Sequence, residues 1–137
     1  MQDTLPIHFA PLQGYTEAIY RNAHDAFFGG VDTYYTPFVR LEKGNFRRRD
    51  VRGIEPENNG VPHLIPQLIA SSAEKAEVIL SLFIEKGYQE VDINLGCPFP
   101  LLAKRHNGSG ILPYPEEVKA LLSIVTRYCL LYTSDAA

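Results

Sequence analysis

The residues best suited to chemistry lie in the segment VDINLGCP at 91–98. Cys97 follows a predicted strand and is flanked by Gly96 and Pro98, a pattern that predicts a loop at the end of a strand rather than a helix face. A thiol in such a loop can act as a nucleophile, a general acid or a metal ligand. Position alone also leaves a structural role open, because an isolated cysteine is more often a small buried hydrophobic residue.

A disulfide between Cys97 and the second cysteine, Cys129, is not expected. Cys97 precedes a predicted helix and Cys129 lies near its far end, so about 15 helical residues place them roughly 20 Å apart. The Cα atoms of bridged cysteines lie within about 7 Å of each other. The cysteines form no CxxC pair and the histidines have no ligand spacing, so we also expect no metal site.

A basic segment at 40–52 is the second candidate. It carries six of the 13 Lys and Arg residues and two acidic residues, a net charge of +4 in a chain whose formal net charge is −3. Such a run is usually a solvated loop, although clustered positive charge is also what binds a phosphate backbone. The residues alone leave both interpretations open.

Four apolar segments predict the strands that position these residues. The segments are 5–10, 31–36, 63–69 and 90–95. Pro66 cannot donate a ladder hydrogen bond, so the third strand is predicted to begin at Gln67 or to contain a bulge. In the fourth strand, Asp92 and Asn94 alternate with apolar residues, which is typical of a strand with one apolar face.

Three further segments have helical periodicity. The first helix is predicted to begin after an N-cap at Thr16, the second with a capping box at Ser71, and the third at Pro115. The apolar positions predicted to face the core are Ile19, Ala23, Ala26 and Phe27 in the first helix, Ala76, Ile79, Leu82 and Phe83 in the second, and Val118, Leu121, Leu122 and Val125 in the third. The second helix is predicted to end at Gly87.

Strands and helices alternate along the chain, which predicts a parallel α/β sheet with right-handed crossovers. In such a sheet, ligands bind at the carboxyl ends of the strands. The segments predicted to meet there are 11–15, 37–52, 67–71 and 94–110. The segments 38–61 and 96–114 have no strong period and are predicted to be long loops, which in compact domains are usually functional.

The composition is that of a globular protein. The chain has 137 residues, 45% of them hydrophobic and 21% charged, which excludes disorder, collagen and coiled coil and favours one domain. A complete eightfold α/β barrel takes about 250 residues, so about four βα units fit in this length. The chain has no basic and apolar leader and no long apolar run, so we expect no membrane contact and a cytoplasmic, reducing location.

Five pieces of the chain, in order, resemble the tRNA-dihydrouridine synthases, flavin enzymes that reduce the C5=C6 bond of specific uridines in tRNA. They are APLQGYT at 10–16, TPFVR at 36–40, PQL at 66–68, VDINLGCP at 91–98 and GSGILPYPE at 108–116. The combination of VDINLGCP with a G-x-G-x-L segment after it is highly specific. The resemblance covers roughly residues 5–127.

The resemblance implies an α/β fold, a partial TIM (β/α)8 barrel made of about the first four βα units. Residues 1–129 would form the N-terminal half of an FMN-binding barrel, with the residues that bind the FMN phosphate beyond this chain. Residues 130–137 do not resemble the family's next strand, and we expect them not to be the native continuation. We expect the chain alone to be poorly soluble and inactive.

The resemblance also implies the cofactors and the roles of the site residues. Reduced FMN would deliver hydride to C6 of the uracil, and NADPH would be the reductant. The residues implied to contact FMN are Pro11, Leu12 and Gln13 along the ring, with backbone groups turned to its polar edge, Gln67 hydrogen-bonded to the isoalloxazine, and Asn94 facing both the flavin and the base. Cys97 would be the general acid that protonates C5 on the opposite face, a role that needs a protonated thiol.

A tRNA partner changes the interpretation of the basic residues. The target base is stacked in a folded tRNA, so it must be extruded at an energetic cost that backbone contacts help to meet. With this substrate, phosphate contact becomes the preferred role of the basic segment. The residues predicted to bind RNA are Arg40, Arg47, Arg48, Arg49, Lys104 and Arg105. The full-length protein is expected to be a monomer.

Two other functions stay open. One is another FMN barrel reductase acting on free pyrimidines, similar to dihydroorotate dehydrogenase, although the basic segment favours RNA. The chain as given would alternatively be a non-catalytic fragment that at most binds RNA weakly. Flavin absorbance, and the choice between tRNA and free pyrimidine as substrate, separate these alternatives.

Overall fold

A computed structural model describes the backbone of residues 4–135 and the side chains of residues 4–129. The α-helices are α1 (Ala18–Phe27), α2 (Arg48–Ile54), α3 (Ala73–Glu85), α4 (Pro100–Ala103) and α5 (Pro115–Asp135). The strands are β1 (His8–Phe9), β2 (Thr33–Tyr35), β3 (Leu41–Glu42), β4 (Asn45–Phe46), β5 (Leu64–Ile65), β6 (Gln67–Leu68) and β7 (Asp92–Ile93). Single 3-10 turns occur at Pro56–Asn58 and Gly108–Ile111. We expect residues 130–137 not to be the native continuation, and their side chains lie outside the described residues.

The main strands are parallel and follow the order of the chain. β1 pairs with β2, β2 with β5, and β6 with β7, each in parallel. β5 and β6 are two halves of one strand interrupted at Pro66, so neighbouring strands are also consecutive in sequence. This confirms the predicted parallel α/β arrangement. The edge at which these strands end is called the carboxyl edge below.

The interruption at Pro66 has a local cause. The Thr36 N–H donates to the Ile65 carbonyl at 3.1 Å, whereas the Val39 N–H donates to the Gln67 carbonyl at 2.8 Å. Proline itself has no N–H to continue the ladder, and the Gln67 N–H donates instead to the Thr36 hydroxyl at 3.0 Å. The predicted break is confirmed, and the hydroxyl contact keeps Gln67 in line with the sheet.

The core lies between β6–β7 and the helices α3 and α5. Its buried residues are Val39, Ile54, Leu68, Ala70, Ala76, Ile79, Leu80, Phe83, Ile111, Leu121, Ile124 and Val125. The predicted apolar faces of these two helices are largely confirmed. In α5, Leu122 is exposed and Ile124 is buried instead. In α3, Leu80, which was not predicted to face the core, is buried, and the predicted Leu82 is half-buried.

α3 begins one residue later than predicted. Ser72, not Ser71, is the N-cap, and its hydroxyl accepts from the Lys75 N–H at 3.3 Å. The Ser71 hydroxyl lies 3.0 Å from the Lys75 ammonium and accepts from it. The end of the helix is as predicted, because Gly87 has a φ of 89°, a left-handed conformation that glycine adopts without strain.

The face that α1 buries is not the predicted one. Ile19 and Phe27, predicted to face the core, are 86% and 84% exposed, and the other two predicted positions are exposed as well. The buried positions of α1 are Ala18 and Arg21. The periodicity correctly identified residues that share a face, but no described element covers that face.

The prediction of an unstructured loop at 38–61 is wrong. The segment contains a hairpin, a helix and a 3-10 turn. β3 and β4 are antiparallel and are joined by Lys43 and Gly44, whose positive φ angles of 51° and 79° are typical of a type I′ turn. The segment 96–114 likewise contains α4 and a 3-10 turn. Elements this short give no measurable period.

Candidate active site

Three polar side chains meet at the carboxyl edge and form a continuous chain of hydrogen bonds, called the amide chain below. Gln67 Nε2 donates to Asp92 Oδ2 at 2.6 Å, and Asn94 Nδ2 donates to Gln67 Oε1 at 3.0 Å. Asn94 Oδ1 in turn accepts from the backbone N–H groups of Gly96 at 3.1 Å and Cys97 at 2.9 Å. The amide chain thus joins a carboxylate on β7 to the backbone of the cysteine loop.

Strand pairing and alternation bring these side chains together. β6 pairs with β7 in a register that sets Gln67 opposite Asp92. Successive side chains of a strand point to opposite faces. The alternate residues that pack against the core are Val91, Ile93 and Leu95. Asp92 and Asn94 therefore lie on the other face, beside Gln67.

Cys97 lies at the end of the amide chain and on a small apolar cluster. Its side chain is half-buried and packs against the buried residues Phe38, Ile69 and Leu102. No disulfide joins Cys97 to Cys129 in the described part of the chain. The Cys97 side chain therefore packs on apolar side chains and is still partly exposed to solvent.

The turn at Gly108–Ile111 closes tightly on Cys97. Ser109 donates twice to the Cys97 carbonyl, from its N–H and from its hydroxyl, each at 3.0 Å. A Cβ at Gly108 would lie 2.6 Å from that carbonyl oxygen, and a Cβ at Gly110 would collide with the backbone of Ala103. Glycine is required at 108 by the close approach to Cys97 and at 110 by the close approach to Ala103 of α4. Ser109 thus holds the carbonyl of Cys97, and Asn94 holds its N–H.

The turn after β1 carries three residues predicted to contact a cofactor, Pro11, Leu12 and Gln13. The Thr16 hydroxyl accepts from the Leu12 N–H at 2.8 Å, which is why Glu17 and not Thr16 is the N-cap of α1. The Leu12 side chain is 58% exposed. Gln13 Oε1 is buried and has no donor among the described residues. A buried acceptor without a donor suits a ligand that brings an N–H group.

Asp50 organises the basic segment. Its carboxylate accepts from Arg47 Nε and Nη2, both at 2.8 Å, and from the Arg40 N–H at 3.2 Å. Burial raises the pKa of Asp50, and the hydrogen bonds and charge of Arg47 oppose that rise. The carboxylate thus joins Arg40, which precedes the β3–β4 hairpin, to Arg47, which precedes α2.

The arginines near Asp50 differ in how far they are engaged. Arg47 is 13% exposed and its guanidinium lies over the Phe38 ring at 5.8 Å, so it is held within the chain. Arg40 has a longer ion pair of 3.8 Å with Glu42, and Arg49 lies 3.8 Å from Asp50 while staying exposed. Arg40 and Arg49 therefore keep more hydrogen-bonding capacity than Arg47.

The other three side chains predicted to bind RNA, Arg48, Lys104 and Arg105, are exposed. None of them forms an ion pair with the described part of the chain. Arg48 opens α2, and Lys104 is the C-cap of α4 in the loop that follows Cys97. Their charges are available to a phosphate or to solvent.

Two residues of the carboxyl edge were not predicted as site residues. Asp92 anchors the amide chain and Ser109 braces Cys97. The signal for Asp92 is the alternation along its strand, which sets it on the same face as Asn94. Ser109 has no comparable signal, because its contact with Cys97 depends on how the segment between them folds.

The described residues hold neither a candidate metal site nor a candidate membrane span. No group of three or more His, Cys, Asp or Glu side chains in that range is placed to hold a metal ion. Over the same range, no helix is long and apolar enough to cross a membrane.

The sequence is similar to known proteins over most of its length. The profile of a family described as Dihydrouridine synthase (Dus) matches residues 8–129. A protein of Synechocystis sp. named "Probable tRNA-dihydrouridine synthase 1" is 28% identical over 122 residues, which cover 85% of this chain and 32% of that protein. "tRNA-dihydrouridine synthase B" of Klebsiella pneumoniae is 33% identical over 61 residues, 44% of this chain and 19% of that protein.

The protein of the same name in Escherichia coli is 34% identical over 59 residues, which cover 43% of this chain and 18% of that protein. The matched parts of this chain thus span about a third or less of the length of these relatives.

Proposed function

The chain belongs to the dihydrouridine synthase family, a family of oxidoreductases, and on that premise we propose that it is the N-terminal part of an enzyme that reduces uridine in tRNA to dihydrouridine. The observation that carries the proposal is the amide chain, which ends on the Cys97 N–H at the carboxyl edge of a parallel sheet. Because the relatives are much longer than the matched segments, the complete activity is proposed for the full-length protein that contains these residues.

The fold proposed for that full-length protein is a TIM barrel, of which these residues supply about the first four βα units. The strand order supports this proposal, because each main strand pairs with the next one in sequence. A barrel has that order, whereas a doubly wound sheet reverses direction at a switch point. The site then lies where barrel enzymes have theirs, at the carboxyl ends of the strands.

FMN is the proposed cofactor, and the carboxyl edge fits a flavin ring. Such a ring has an N–H donor and several acceptors along its edge, and the buried Gln13 Oε1 lacks a donor within the described residues. The exposed Leu12 offers an apolar surface to a flat ring. The residues proposed to hold the ring are Pro11, Leu12, Gln13, Gln67 and Asn94. When bound there and reduced by NADPH, FMN would supply the hydride for C6 of the uracil.

Cys97 is the proposed general acid. Asn94 accepts from its backbone N–H and Ser109 donates to its carbonyl, and its side chain packs on an apolar cluster. A neutral thiol donates its proton to C5 of the uracil as the C–H bond at C6 forms, which leaves a thiolate. The half-buried position allows that thiolate to regain a proton from solvent.

Five basic side chains are proposed to contact tRNA phosphates. Four of them are exposed, Arg48, Arg49, Lys104 and Arg105, and the fifth, Arg40, is half-buried. Arg48 and Arg49 lie in the first turn of α2, where the helix dipole disfavours positive charge. A polyanionic partner would offset that cost. Arg47 is proposed to contribute indirectly, since its guanidinium and Asp50 together hold the segment in shape.

The full-length protein tests this function most simply through its choice of substrate. It is expected to carry flavin absorbance, and its reduced flavin should be oxidised by unmodified tRNA with formation of dihydrouridine, measured by mass spectrometry of the nucleosides. Free uracil, uridine and orotate should leave the flavin reduced. Turnover of orotate without turnover of tRNA would assign the protein to the free-pyrimidine reductases, and a protein that binds no flavin would contradict the proposal.

A further inference from the structure

We infer that Asp92 is a positioning residue that fixes which atoms Gln67 and Asn94 present to a ligand. The inference rests on the proposed function in one respect, that the cofactor and the pyrimidine bind at the carboxyl edge. Asp92 itself is not proposed to contact the cofactor or the pyrimidine. Its carboxylate acts through the two side-chain amides of the amide chain.

The two ends of the amide chain permit one direction only. A carboxylate accepts hydrogen bonds and does not donate them, whereas a backbone N–H only donates. Asp92 at one end therefore requires the amide nitrogen of Gln67. The N–H groups of Gly96 and Cys97 at the other end require the amide oxygen of Asn94. The remaining pair, Gln67 oxygen and Asn94 nitrogen, then matches as donor and acceptor.

The consequence is a pair of N–H donors that point away from the amide chain. Each amide nitrogen carries two N–H groups, and the amide chain uses one of each. Neither Gln67 Nε2 nor Asn94 Nδ2 donates to any other group within the described residues. Both side chains therefore offer an N–H, which recognises a ring carbonyl or an unprotonated ring nitrogen and rejects an N–H edge.

Packing does not explain Asp92. The apolar residues of β7 pack against the core, and Asp92 lies on the opposite face, half-buried and without an ion pair to any described side chain. Partial burial of a carboxylate is costly unless its hydrogen bonds are used. Asparagine would fill the same volume, but it can meet Gln67 with either its oxygen or its nitrogen, so only the N–H groups of Gly96 and Cys97 would then oppose reversal of the amide chain. A reversed chain would set the Asn94 nitrogen against the Cys97 N–H, where two donors meet.

Three variants of the full-length protein test the inference. Asp92→Asn replaces the carboxylate, which only accepts hydrogen bonds, with an amide that can also donate. The double variant Asp92→Asn with Gln67→Glu moves such a group to the middle of the amide chain, where a carboxylate accepts from both neighbouring amides and again orients Asn94. Glu90→Gln is the matched control, because the Glu90 carboxylate is exposed and bonded to His63 on the same segment.

Two measurements separate positioning from general damage. The first is the rate at which iodoacetamide alkylates Cys97 in flavin-free protein, with Cys129→Ser as the common background. The second is the dissociation constant of FMN from quenching of flavin fluorescence. The alkylation rate reports the order of the cysteine loop, and the FMN dissociation constant reports the donors offered to the ring.

Asp92→Asn is expected to weaken FMN binding about five-fold to ten-fold and to speed alkylation of Cys97 by about the same factor, since the hydrogen bond from Gln67 to a charged acceptor is replaced by a weaker one to a neutral amide. The double variant should return the alkylation rate to the wild-type value but leave FMN binding weak, because a glutamate at 67 has no N–H to offer. Glu90→Gln should change neither measurement.

Two results would overturn the inference. One is an Asp92→Asn variant that matches the wild type in both measurements. The other is a double variant whose cysteine is alkylated as fast as that of Asp92→Asn while Glu90→Gln stays normal, since Asp92 would then matter only for stability. If the wild-type protein binds no FMN, the proposed function fails, and the alkylation rates still decide whether Asp92 positions the amides.

Discussion

The two ends of the sheet are packed in different ways. At the β6–β7 end, α3 and α5 cover the sheet with buried apolar side chains such as Ile79 and Phe83. At the β1 end, α1 exposes Ile19 and is held by the fully buried Arg21. That guanidinium donates to the carbonyls of Thr16 at 2.7 Å and Gly53 at 2.8 Å, and to the Asn59 side chain at 2.7 Å. One end is held by apolar packing, the other by polar contacts.

The difference extends to the candidate site. At the β6–β7 end, the site side chains are hydrogen-bonded to one another through the amide chain. At the β1 end, Gln13 keeps a buried oxygen without a donor among the described residues. The site residues at the end with the apolar core are therefore already held by hydrogen bonds to one another. At the more polar end, a ligand would supply the donor that Gln13 lacks among the described residues.

Ile79→Ala is expected to cause the largest loss in this chain. It should lower the free energy of unfolding by about 2–5 kcal/mol, because it opens a cavity in the α3–α5 core. The matched variant Ile19→Ala removes the same atoms from an exposed site and should cost less than about 0.5 kcal/mol. Urea denaturation followed by circular dichroism measures both. Equal losses at the two positions would contradict the contrast between the ends.

If Ile79→Ala proves too unstable to measure, Ile79→Val gives a milder comparison. It should cost about 0.5–1.5 kcal/mol. Ile19→Val at the exposed position should again leave the urea midpoint within error.

Arg21→Met is expected to have the next largest effect. Burial lowers the pKa of Arg21 to about 10, so the side chain is still charged at neutral pH. Its loss would remove donors from the Thr16 carbonyl and the Asn59 side chain and should cost about 2 kcal/mol. Arg48→Met, at an exposed arginine, is the control and should be nearly neutral. An Arg21→Met variant as stable as the wild type would show that polar anchoring of α1 is dispensable.

Tyr88→Phe should have a smaller and pH-dependent effect. The Tyr88 hydroxyl donates to the Ile54 carbonyl at 2.5 Å, so its loss should cost about 1 kcal/mol near neutral pH. Burial raises the pKa of Tyr88 to about 12 from 10.0. A raised pKa contributes stability that is present below the unfolded value and is lost as the pH rises through the folded value.

The advantage of the wild type over Tyr88→Phe should therefore be largest below pH 10 and shrink toward pH 12. Urea denaturation at a series of pH values measures it. Tyr15→Phe, at an exposed ring, provides the baseline. A difference that grows above pH 10 would mean that the ionised Tyr88 hydroxyl is the form that the fold prefers.

Local patterns in the sequence predict much of the β6–β7 end. The alternation that sets Asp92 and Asn94 on one face and the periods of α3 and α5 are signals within single elements, and the structure confirms them. The basic segment was predicted less well. Its hairpin and α2 are short, and Asp50 holds them through contacts with residues on both sides of the hairpin.

The β1 end shows a second limit of sequence reasoning. The apolar positions of α1 recur at helical spacing, yet which face is buried depends on what lies against the helix. Arg21 is a charged residue that no apolar pattern would place inside, and its three acceptors lie in separate segments of the chain. The contact of Ser109 with Cys97 depends on tertiary folding in the same way.

Cys97 is proposed to supply a proton at a carboxyl edge that would hold flavin and uridine. The most direct measurement is stopped-flow absorbance of the flavin in the full-length Cys97→Ala protein, with Cys129→Ala as control. Reduction by NADPH should stay at the wild-type rate, and oxidation of the reduced flavin by tRNA should slow by about 10²–10⁴-fold. Oxidation by tRNA at the wild-type rate, or loss of the flavin itself, would contradict that claim.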